Sequence, residues 1–390
     1  MRPTHPLFTG LPTTIFEVMS RLAIEHDAIN LGQGFPDVDG PEEVRRKAAD
    51  SLMDGPNQYP PMMGLLVLRE AIAASEKRFF GIDRDPADVL VTSGATEALS
   101  DALMALIEPG DEVVVFDPAY DCYIPLIERA GGKARLVPLQ PPHWSFSDDA
   151  LDAAFSDRTK AVLLNNPLNP SSKVFSRDEL QRLADRVLHH DAYAICDEVY
   201  EHIVFGEAEH IPFATLPGMA ERTVRIGSAG KSFSLTGWKV GYVSGPAALI
   251  APISKAHQFT TFTTPPNLQI AVAYGLDMPD AYFKALANDL ETKRDRLAAG
   301  LGAAGFPTLP ADGSYFLIAD IASLGLGNDV EAAQRMTVEA GVTTVPMSAF
   351  YRGEAPDHLL RFCFCKRDEV LDDAVTRLAA WRERGFKAAA

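Results

Sequence analysis

Short apolar runs rich in β-branched residues alternate with longer amphipathic stretches from about residue 90 onward. This alternation is typical of an α/β fold in which helices cover both faces of a mostly parallel sheet. The runs that predict strands are DVLVTS, DEVVVFD, KARLVPL, KAVLLNN, YAICDE, TVRIGS and VGYVSG. We therefore expect a large domain built on a mostly parallel, seven-stranded sheet that is sandwiched by helices.

The stretch between KAVLLNN and YAICDE shows how one strand is connected to the next. SRDELQRLADRVLHH is amphipathic, and Ser176 and Glu179 have the spacing of a capping box at a helix start. The sequence thus predicts a strand–helix–strand unit. Ligands of open parallel sheets bind beyond the carboxyl ends of the strands, so the residues directly after each run are candidate site residues.

The pattern changes after about residue 290. A charged helical stretch, LETKRDRLAAGLGAAG, is followed by YFLIADI, EAAQRMTVEAG, VTTVP, LLRFCFC and a final helix from Asp368. These shorter segments predict a smaller α+β domain. We expect the large domain to span residues 45–290 and the small domain to combine residues 291–390 with residues 1–44, which form an N-terminal arm.

Charge and composition narrow the range of partners. The formal net charge of −17 disfavours nucleic acid and anionic lipid, which are themselves polyanions. No apolar run approaches the roughly 20 residues that span a bilayer, and MRPTHPLFTG lacks the apolar core of a signal peptide. We expect a cytoplasmic protein that acts on small molecules. Four cysteines, at positions 122, 196, 363 and 365, are too few and scattered for a disulfide framework or a zinc site, and we expect Cys363 and Cys365 to be core thiols.

The segment TVRIGSAGKSFSLTGWKVGY places Lys231 directly after a predicted strand, among small residues. Lysine can bond covalently to an aldehyde, and removal from water lowers its pKa toward the reactive neutral amine. Lys239 and the Ser228 hydroxyl could bind a phosphate beside it. Taken alone, a lysine among glycines also fits an exposed surface loop.

A second part of the phosphate site is predicted in VTSGATEALSDALMALI, a strand followed by a tight turn and an amphipathic helix. The backbone N–H groups of Ala95 and Thr96 at the helix start form an anion site. By itself this arrangement is weak evidence, because Thr96 and Glu97 also fit an ordinary helix start.

Polar residues at other strand ends complete the expected site. Asp197 follows AYAIC and is placed to pair with a protonated ring nitrogen, although such a residue is often only a helix cap. Tyr200 and Asn169 can donate to a ring oxygen, and Tyr120 can stack on a ring face. Taken singly, each aromatic residue also fits ordinary core packing.

Arg361 begins the apolar strand RFCFC, where an unpaired guanidinium would be costly to bury. It therefore needs an anionic partner, which is either a structural carboxylate or the carboxylate of a substrate. Asn169 and the backbone N–H of Gly34, in NLGQGFPD, could complete a carboxylate clamp.

With these residues in place, the whole chain resembles the class I and II aminotransferases of pyridoxal 5'-phosphate (PLP) fold type I. SAGKSFSLTGWKVG resembles the lysine attachment motif of that family, and NNPLNP, CDEVY and a late arginine follow the expected order and spacing. The likeness is strongest to the branch of kynurenine, glutamine and methionine aminotransferases, which share NLGQGFPD, FDPAYDCY, DEVYEHI and TGWKVGY.

The resemblance implies a role for each candidate near the cofactor ring. Lys231 would hold PLP as a Schiff base, and Asp197 would pair with the pyridinium nitrogen. Tyr200 and Asn169 would donate to the ring oxygen, and Tyr120 would stack on the ring. We accordingly expect Lys231, Asp197 and Tyr200 to be the catalytic residues.

The resemblance also places the phosphate. Ala95, Thr96, Ser228 and Lys239 match phosphate-binding positions of the family. Tyr59, in NQYPPMMG, resembles a tyrosine that reaches the phosphate of the neighbouring subunit. A homodimer with shared sites is therefore expected.

For the substrate, the resemblance makes Arg361 the carboxylate-binding arginine, with Gly34 and Asn169 beside it. The side-chain pocket is expected to be apolar, which favours methionine or aromatic amino acids over aspartate. Its candidate residues are Phe16 and Phe262, with Ile15, Phe350 and Tyr351 as further members.

The chain departs from the family pattern at three places. Position 239 is Lys where most of the wider family has Arg, although this branch also uses Lys. The loop reads NPSS where NPTG is usual, and Leu168 stands where His or Asn is common. These changes affect the turn geometry of the loop and remove one polar group near the ring.

We interpret the sequence as a PLP-dependent aminotransferase that moves the amino group of an L-amino acid to a 2-oxo acid by a ping-pong mechanism. Donors of methionine, glutamine, kynurenine or aromatic type are expected. A cysteine-S-conjugate β-lyase on the same fold is the alternative. A PLP-sensing regulator is disfavoured, because only about 30 residues precede NLGQGFPD and they contain no basic helix-turn-helix.

Overall fold

The computed structural model of the chain describes residue 2 and residues 4–387. The helices are α1 (Pro6–Gly10), α2 (Ile15–Glu25), α3 (Glu42–Asp54), α4 (Leu66–Phe80), α5 (Ala95–Leu106), α6 (Tyr123–Arg129), α7 (Asp148–Ala154), α8 (Arg177–His189), α9 (Ala229–Ser232), α10 (Ala247–Thr260), α11 (Pro266–Leu276), α12 (Asp280–Ala303), α13 (Asp329–Arg335) and α14 (Asp368–Glu383). The strands are β1 (Ile29–Asn30), β2 (Val89–Thr92), β3 (Glu112–Asp117), β4 (Lys133–Pro138), β5 (Thr159–Asn165), β6 (Tyr193–Asp197), β7 (Thr223–Ser228), β8 (Gly241–Ser244), β9 (Phe316–Asp320), β10 (Val342–Thr343), β11 (Val345–Pro346) and β12 (Leu359–Cys363).

The large sheet has seven strands in the order β2-β8-β7-β6-β5-β3-β4. β8 runs antiparallel to both of its neighbours, and the other neighbouring pairs are parallel. These seven strands are the ones that the apolar runs predict, so the α/β class and the mostly parallel sheet are confirmed.

Helices cover both faces of this sheet, because successive side chains of a buried strand point to opposite sides. Val114 of β3 packs in the same apolar core as Leu183 of α8. Its neighbour Val115 packs in a different core, with Leu103 of α5. Both faces are therefore apolar and buried, which explains why the strands are continuous apolar runs.

The predicted strand–helix–strand unit is confirmed in β5, α8 and β6. The Ser176 hydroxyl accepts the Glu179 N–H at 3.2 Å, and the Ser176 N–H donates to Glu179 Oε2 at 2.9 Å. This capping box satisfies two amides that the helix cannot satisfy internally. β5 and β6 are parallel neighbours, so their carboxyl ends lie side by side at one edge of the sheet.

Two smaller sheets form the rest of the molecule. β9, β12 and β11 make an antiparallel sheet, and β1 pairs in parallel with β10, which joins the N-terminal segment to the C-terminal part of the chain. Leu297 of α12, Trp381 of α14 and Phe362 of β12 share one core. The buried thiols of Cys363 and Cys365 belong to it, with their sulfur atoms 3.1 Å apart.

The predicted domain boundaries both fall inside helices. Residue 45 lies within α3, and residue 290 lies within α12, which runs from Asp280 to Ala303. The division into two domains at these positions stays a prediction. Within the described part of the chain, no helix is both long and apolar enough to cross a membrane.

Candidate functional site

A cavity of about 420 Å³ lies at the carboxyl ends of the parallel strands, where the seven-stranded sheet meets the three-stranded sheet. Asp197 ends β6, Ser228 ends β7, and Lys231 follows in α9. Arg361 reaches the same cavity from β12. Twelve of the predicted site residues line the cavity: Phe16, Gly34, Ala95, Thr96, Tyr120, Asn169, Asp197, Tyr200, Ser228, Lys231, Lys239 and Arg361.

The amine of Lys231 lies between aromatic rings. Its Nζ is 5.9 Å from the ring centre of Tyr200 and 5.7 Å from that of Tyr315. Burial lowers the pKa of Lys231, although nearby acidic groups, Asp197 among them, raise it. The alternative of an exposed surface loop is therefore wrong, and the neutral amine is more readily populated than in water.

The start of α5 lies beside a lysine ammonium and a serine. Gly94 precedes α5 at φ +78° and provides no side-chain cap, so the first amides of the helix, at Ala95 and Thr96, have no acceptor within the helix. A Cβ added to Gly94 would lie 3.2 Å from Lys239 Nζ. Together with Ser228 in the same cavity, these donors form an arrangement suited to a phosphate.

Asp197 is a buried acid with few donors. Tyr123 Oη donates to its Oδ2 at 2.6 Å, and the Val199 N–H donates to its Oδ1 at 3.4 Å. Burial raises the pKa of Asp197 to about 6, although the Tyr123 hydrogen bond and the charge of Lys231 lower it. Asp197 caps none of the described helices, so its interpretation as a helix cap is wrong. A protonated ring nitrogen is a partner that would stabilise the ionised carboxylate.

Arg361 is 1% exposed and is held by two neutral acceptors. Its Nη1 donates to Asn169 Oδ1 at 2.7 Å, and its Nη2 donates to the Gly32 carbonyl at 2.9 Å. Its guanidinium carbon lies 4.0 Å from the ring centre of Phe316 and 4.7 Å from that of Phe350. Burial lowers the pKa of Arg361 to about 10.

No Asp or Glu oxygen of the described residues lies within 4.0 Å of the Arg361 guanidinium, and its Nε has no hydrogen-bond partner among them. The alternative of a structural carboxylate partner is therefore wrong for the described chain. Gly34 also lines the cavity, but the carbonyl that holds Arg361 belongs to Gly32. A buried guanidinium without a counter-ion is suited to binding a carboxylate ligand.

Two residues that the sequence reasoning missed support the predicted ones. Tyr123 holds Asp197, as described above. Asn165 donates through Nδ2 to the Asp197 carbonyl at 2.8 Å and accepts the Asn169 N–H through Oδ1 at 2.7 Å. Asn165 thus ties the ends of β5 and β6 together. Its place at a strand end was the available signal, whereas Tyr123 could not be told from a core aromatic residue.

Tyr59 and Phe262 do not line the cavity of their own chain. Tyr59 is 84% exposed, and its ring packs edge-on against Phe262 with 5.7 Å between the ring centres. Phe262 follows the end of α10 and packs on Tyr59, and its place in a substrate pocket stays a prediction. A contact of Tyr59 with a neighbouring subunit stays a prediction.

Two of the aromatic residues expected around the substrate side chain, Phe16 and Phe350, lie beside Arg361. The rings of Phe16 and Phe350 meet edge-on with their centres 5.6 Å apart. Ile15, Phe16, Phe350 and Tyr351 also border an adjoining cavity of about 400 Å³. Phe16 lines both cavities, so a long substrate side chain that extends past Phe16 could enter the second cavity.

A family model described as aminotransferase class I and II matches residues 26–378. Methionine aminotransferase of Escherichia coli is 42% identical over 369 residues, which cover 94% of this chain and 96% of that protein. Kynurenine–oxoglutarate transaminase 3 of Mus musculus is 38% identical over 406 residues, with 96% and 89% of the two chains covered.

Among solved structures, N-succinyldiaminopimelate aminotransferase from Mycobacterium tuberculosis matches with a TM-score of 0.94 at 45% identity. The match covers 97% of this chain and 100% of that chain. These relatives are all named for amino transfer, which supports that reaction and gives no support to the β-lyase alternative.

Proposed function

Because the chain belongs to the class I and II aminotransferases, we propose that it binds PLP and transfers the amino group of an L-amino acid to a 2-oxo acid by a ping-pong mechanism. One observation carries the proposal. Arg361, a buried guanidinium without a described counter-ion, shares a cavity with Lys231 and Asp197. An amino acid needs a cation for its carboxylate and reactive groups near its amine, and this cavity offers both.

The residues of the cavity fit the cofactor. We assign Lys231 as the residue that bonds to the PLP aldehyde, Asp197 as the partner of the ring nitrogen and Tyr120 as the stacking aromatic. Tyr200 and Asn169 are assigned as donors to the ring oxygen. PLP, when bound, supplies an aldehyde for the amino group and a cationic ring that stabilises negative charge at the substrate Cα.

The phosphate would be held at the start of α5. We assign the N–H groups of Ala95 and Thr96, the Ser228 hydroxyl and the Lys239 ammonium to it. Two amides and one hydroxyl can donate hydrogen bonds to a phosphate, and the ammonium adds a positive charge beside it. The like charge of Lys239 also lowers the pKa of Lys231, which favours its neutral form.

During turnover, the Arg361 guanidinium binds the substrate carboxylate. Asn169 orients the guanidinium, because its Oδ1 accepts a hydrogen bond from Arg361 Nη1. Lys231 Nζ lines the same cavity and would be the base that takes the proton from the substrate Cα. Burial lowers the pKa of Lys231, which leaves more of its amine in the neutral, basic form than in water. Arg361 and Asn169 are buried, which strengthens their electrostatic interactions with a bound carboxylate.

The donor is proposed to carry an apolar or aromatic side chain, of methionine or kynurenine type, because Phe16 and Phe350 border the clamp. A longer, acylated diamino acid such as N-succinyldiaminopimelate is a second candidate. It is favoured by the 45% identity to the Mycobacterium tuberculosis enzyme and by the adjoining cavity of about 400 Å³. A panel of amino donors decides between them, and a strong preference for aspartate would contradict both.

We further propose a homodimer whose subunits share their sites. Tyr59 is 84% exposed and packs against Phe262, so a large aromatic pair is available to a partner subunit. The cytoplasmic location expected from the sequence stays a prediction.

The absorbance spectrum of the purified protein tests the cofactor assignment. PLP joined to a lysine absorbs between about 360 and 430 nm, and amino donors should bleach this band. Lys231→Ala should abolish transamination, whereas Lys255→Ala, at an exposed position of α10, should leave it unchanged. Near wild-type transamination by the Lys231→Ala variant would refute the assignment.

A further inference from the structure

We propose that His257 is a positioning residue that joins the start of α5, at the phosphate site, to the loop that carries Tyr59. The inference rests on the proposed PLP function. His257 belongs to α10, does not line the cavity and is fully buried. Its role is therefore to hold other groups in place.

The imidazole of His257 connects two separate segments. Its Nδ1 lies 2.9 Å from Glu97 Oε1, and its Nε2 lies 3.1 Å from the Met62 carbonyl oxygen. Glu97 also accepts the Ser93 N–H through Oε2, in the turn that leads to Ala95. One ring thus links the phosphate-site turn to the segment between Tyr59 and α4.

Both ring nitrogens of His257 face acceptors, so each needs a hydrogen and the ring is an imidazolium. Asp101 places its Oδ2 3.6 Å from Nδ1, and neither of its buried carboxylate oxygens has a hydrogen-bond partner among the described residues. The charged groups that face the ring, Glu97 and Asp101, both belong to α5. Burial lowers the pKa of His257, but its interactions with these two acids raise it to about 9.

The backbone of His257 fixes a third segment. Its carbonyl accepts the N–H of Thr261 at 3.2 Å and that of Phe262 at 3.0 Å. The Phe262 ring packs against Tyr59. In a dimer whose Tyr59 serves the neighbouring site, His257 therefore supports the phosphate site of its own subunit and the aromatic pair offered to the other.

The same side chains could instead surround a metal ion, since donor atoms of Glu97, Asp101 and His257 lie within 4.8 Å of one another. The 2.9 Å separation of Nδ1 and Oε1 is that of a hydrogen bond with a proton between the atoms. We therefore assign a proton rather than a metal to this position, and the experiment includes a metal analysis.

The test is the dissociation constant of PLP, measured by absorbance titration of apoprotein. His257→Gln should raise it at least about tenfold at pH 7.5, since hydrogen bonds to charged groups are worth about 1.5–3 kcal/mol each. His189→Gln, at an exposed position of α8, is the matched control and should leave it unchanged. Thermal unfolding curves establish that both variants fold.

A pH series separates positioning from general stabilisation. Wild-type affinity for PLP should fall between pH 8 and 10 as the imidazolium loses its proton, and this step should be missing in His257→Gln. Asp101→Asn removes one of the two acids that raise the pKa of His257, so it should move the step to lower pH. This variant keeps the His257 side chain and remains informative if His257→Gln does not fold.

The outcomes are distinct. An unchanged PLP dissociation constant in His257→Gln, or an unchanged pH step in both variants, overturns the inference. One equivalent of divalent metal in purified protein, with PLP affinity lost on chelation, also overturns it. If wild-type protein binds no PLP at all, the proposed function fails; if it binds PLP and only the His257 predictions fail, the function stands.

Discussion

Asp197 is a buried acid, and its ionised form lowers the stability of the apoprotein. Its pKa is raised from 3.8 to about 6 by burial. Because the folded-state pKa exceeds the unfolded one, the carboxyl contributes stability at pH values below about 4, and this contribution is lost as the pH rises through about 6. For a shift of this size the loss is on the order of 3 kcal/mol.

Asp197→Asn should therefore stabilise the apoprotein at pH 7, by about 2–3 kcal/mol, because the amide carries no charge to bury. Urea unfolding of apoprotein at pH 4 and pH 7 measures this. The two proteins should differ little at pH 4, where the carboxyl is protonated. Asp157→Asn, at an exposed position, serves as the control. Equal stabilities of Asp197→Asn and wild type at pH 7 would contradict the buried-acid interpretation.

The proposed binding of the substrate carboxylate by Arg361 can be tested by substitution. Arg361→Met should lower kcat/KM for L-methionine about 100-fold, because charge-assisted hydrogen bonds of about 1.5–3 kcal/mol are lost with the guanidinium. An amine that lacks the carboxylate should react equally slowly with both proteins. Steady-state kinetics with both substrates measure the difference, and Arg296→Met, at an exposed position, is the control. A similar loss with the amine would mean that Arg361 does not bind the carboxylate.

At the scale of elements, the phosphate site depends on how closely β8 approaches the start of α5. Gly241 of β8 is paired with Thr92 of β2 and with Ser228 of β7. A Cβ at Gly241 would lie 2.5 Å from the carbonyl carbon of Gly94 and 2.7 Å from the nitrogen of Ala95. The missing side chain therefore lets the turn before α5 lie against the sheet.

Gly241→Ala should displace this turn and raise the PLP dissociation constant at least about tenfold, by the loss of a charge-assisted hydrogen bond. Gly237→Ala is the matched control, since a Cβ there meets no atom within 4 Å. Absorbance titration of both apoproteins gives the comparison. Similar affinities in the two variants would show that the close approach of β8 does not set the phosphate site.

The elements differ in how far they could be predicted. Apolar periodicity located all seven strands of the large sheet, because burial on both faces leaves a continuous signal in the sequence. The pattern could not show that β8 lies between β2 and β7 in antiparallel orientation, since strand order is decided by contacts between distant segments. It also missed the start of α12 at Asp280, where polar and apolar residues are less clearly divided.

The residues of the candidate site also differ in how far they could be predicted from the sequence. Strand-end positions brought Asp197, Ser228 and Asn169 together, because parallel strands end at one edge of the sheet. Tyr123 was missed because its hydroxyl contacts Asp197 across 74 positions of sequence. The pairing of Phe262 with Tyr59 could not be predicted, because the aromatic character of Phe262 does not distinguish a cavity wall from a packed pair.

At the scale of the whole molecule, the proposed dimer predicts the activity of mixed dimers, in which each subunit carries a different substitution. Lys231→Ala and Tyr59→Ala homodimers should each have low activity. A mixed dimer should contain one site with both changes and one unchanged site, if Tyr59 serves the neighbouring subunit. Activity should therefore return when the two variants are unfolded and refolded together.

Refolding each variant alone is the control for that experiment. If Tyr59 served its own subunit, every site of a mixed dimer would carry one change, and no activity would return. A monomer in sedimentation analysis would refute the shared site directly.

The cavity lies between two sheets that share no backbone hydrogen bonds between their strands. Arg361 belongs to the three-stranded sheet, whereas Asp197 and Ser228 end strands of the seven-stranded one. An amino acid held at both ends would act as a removable cross-link between them. At a concentration 100 times its Kd, such a ligand adds about 2.7 kcal/mol to the free energy of unfolding. The heat tolerance of this molecule would then rise and fall with the supply of its own substrate.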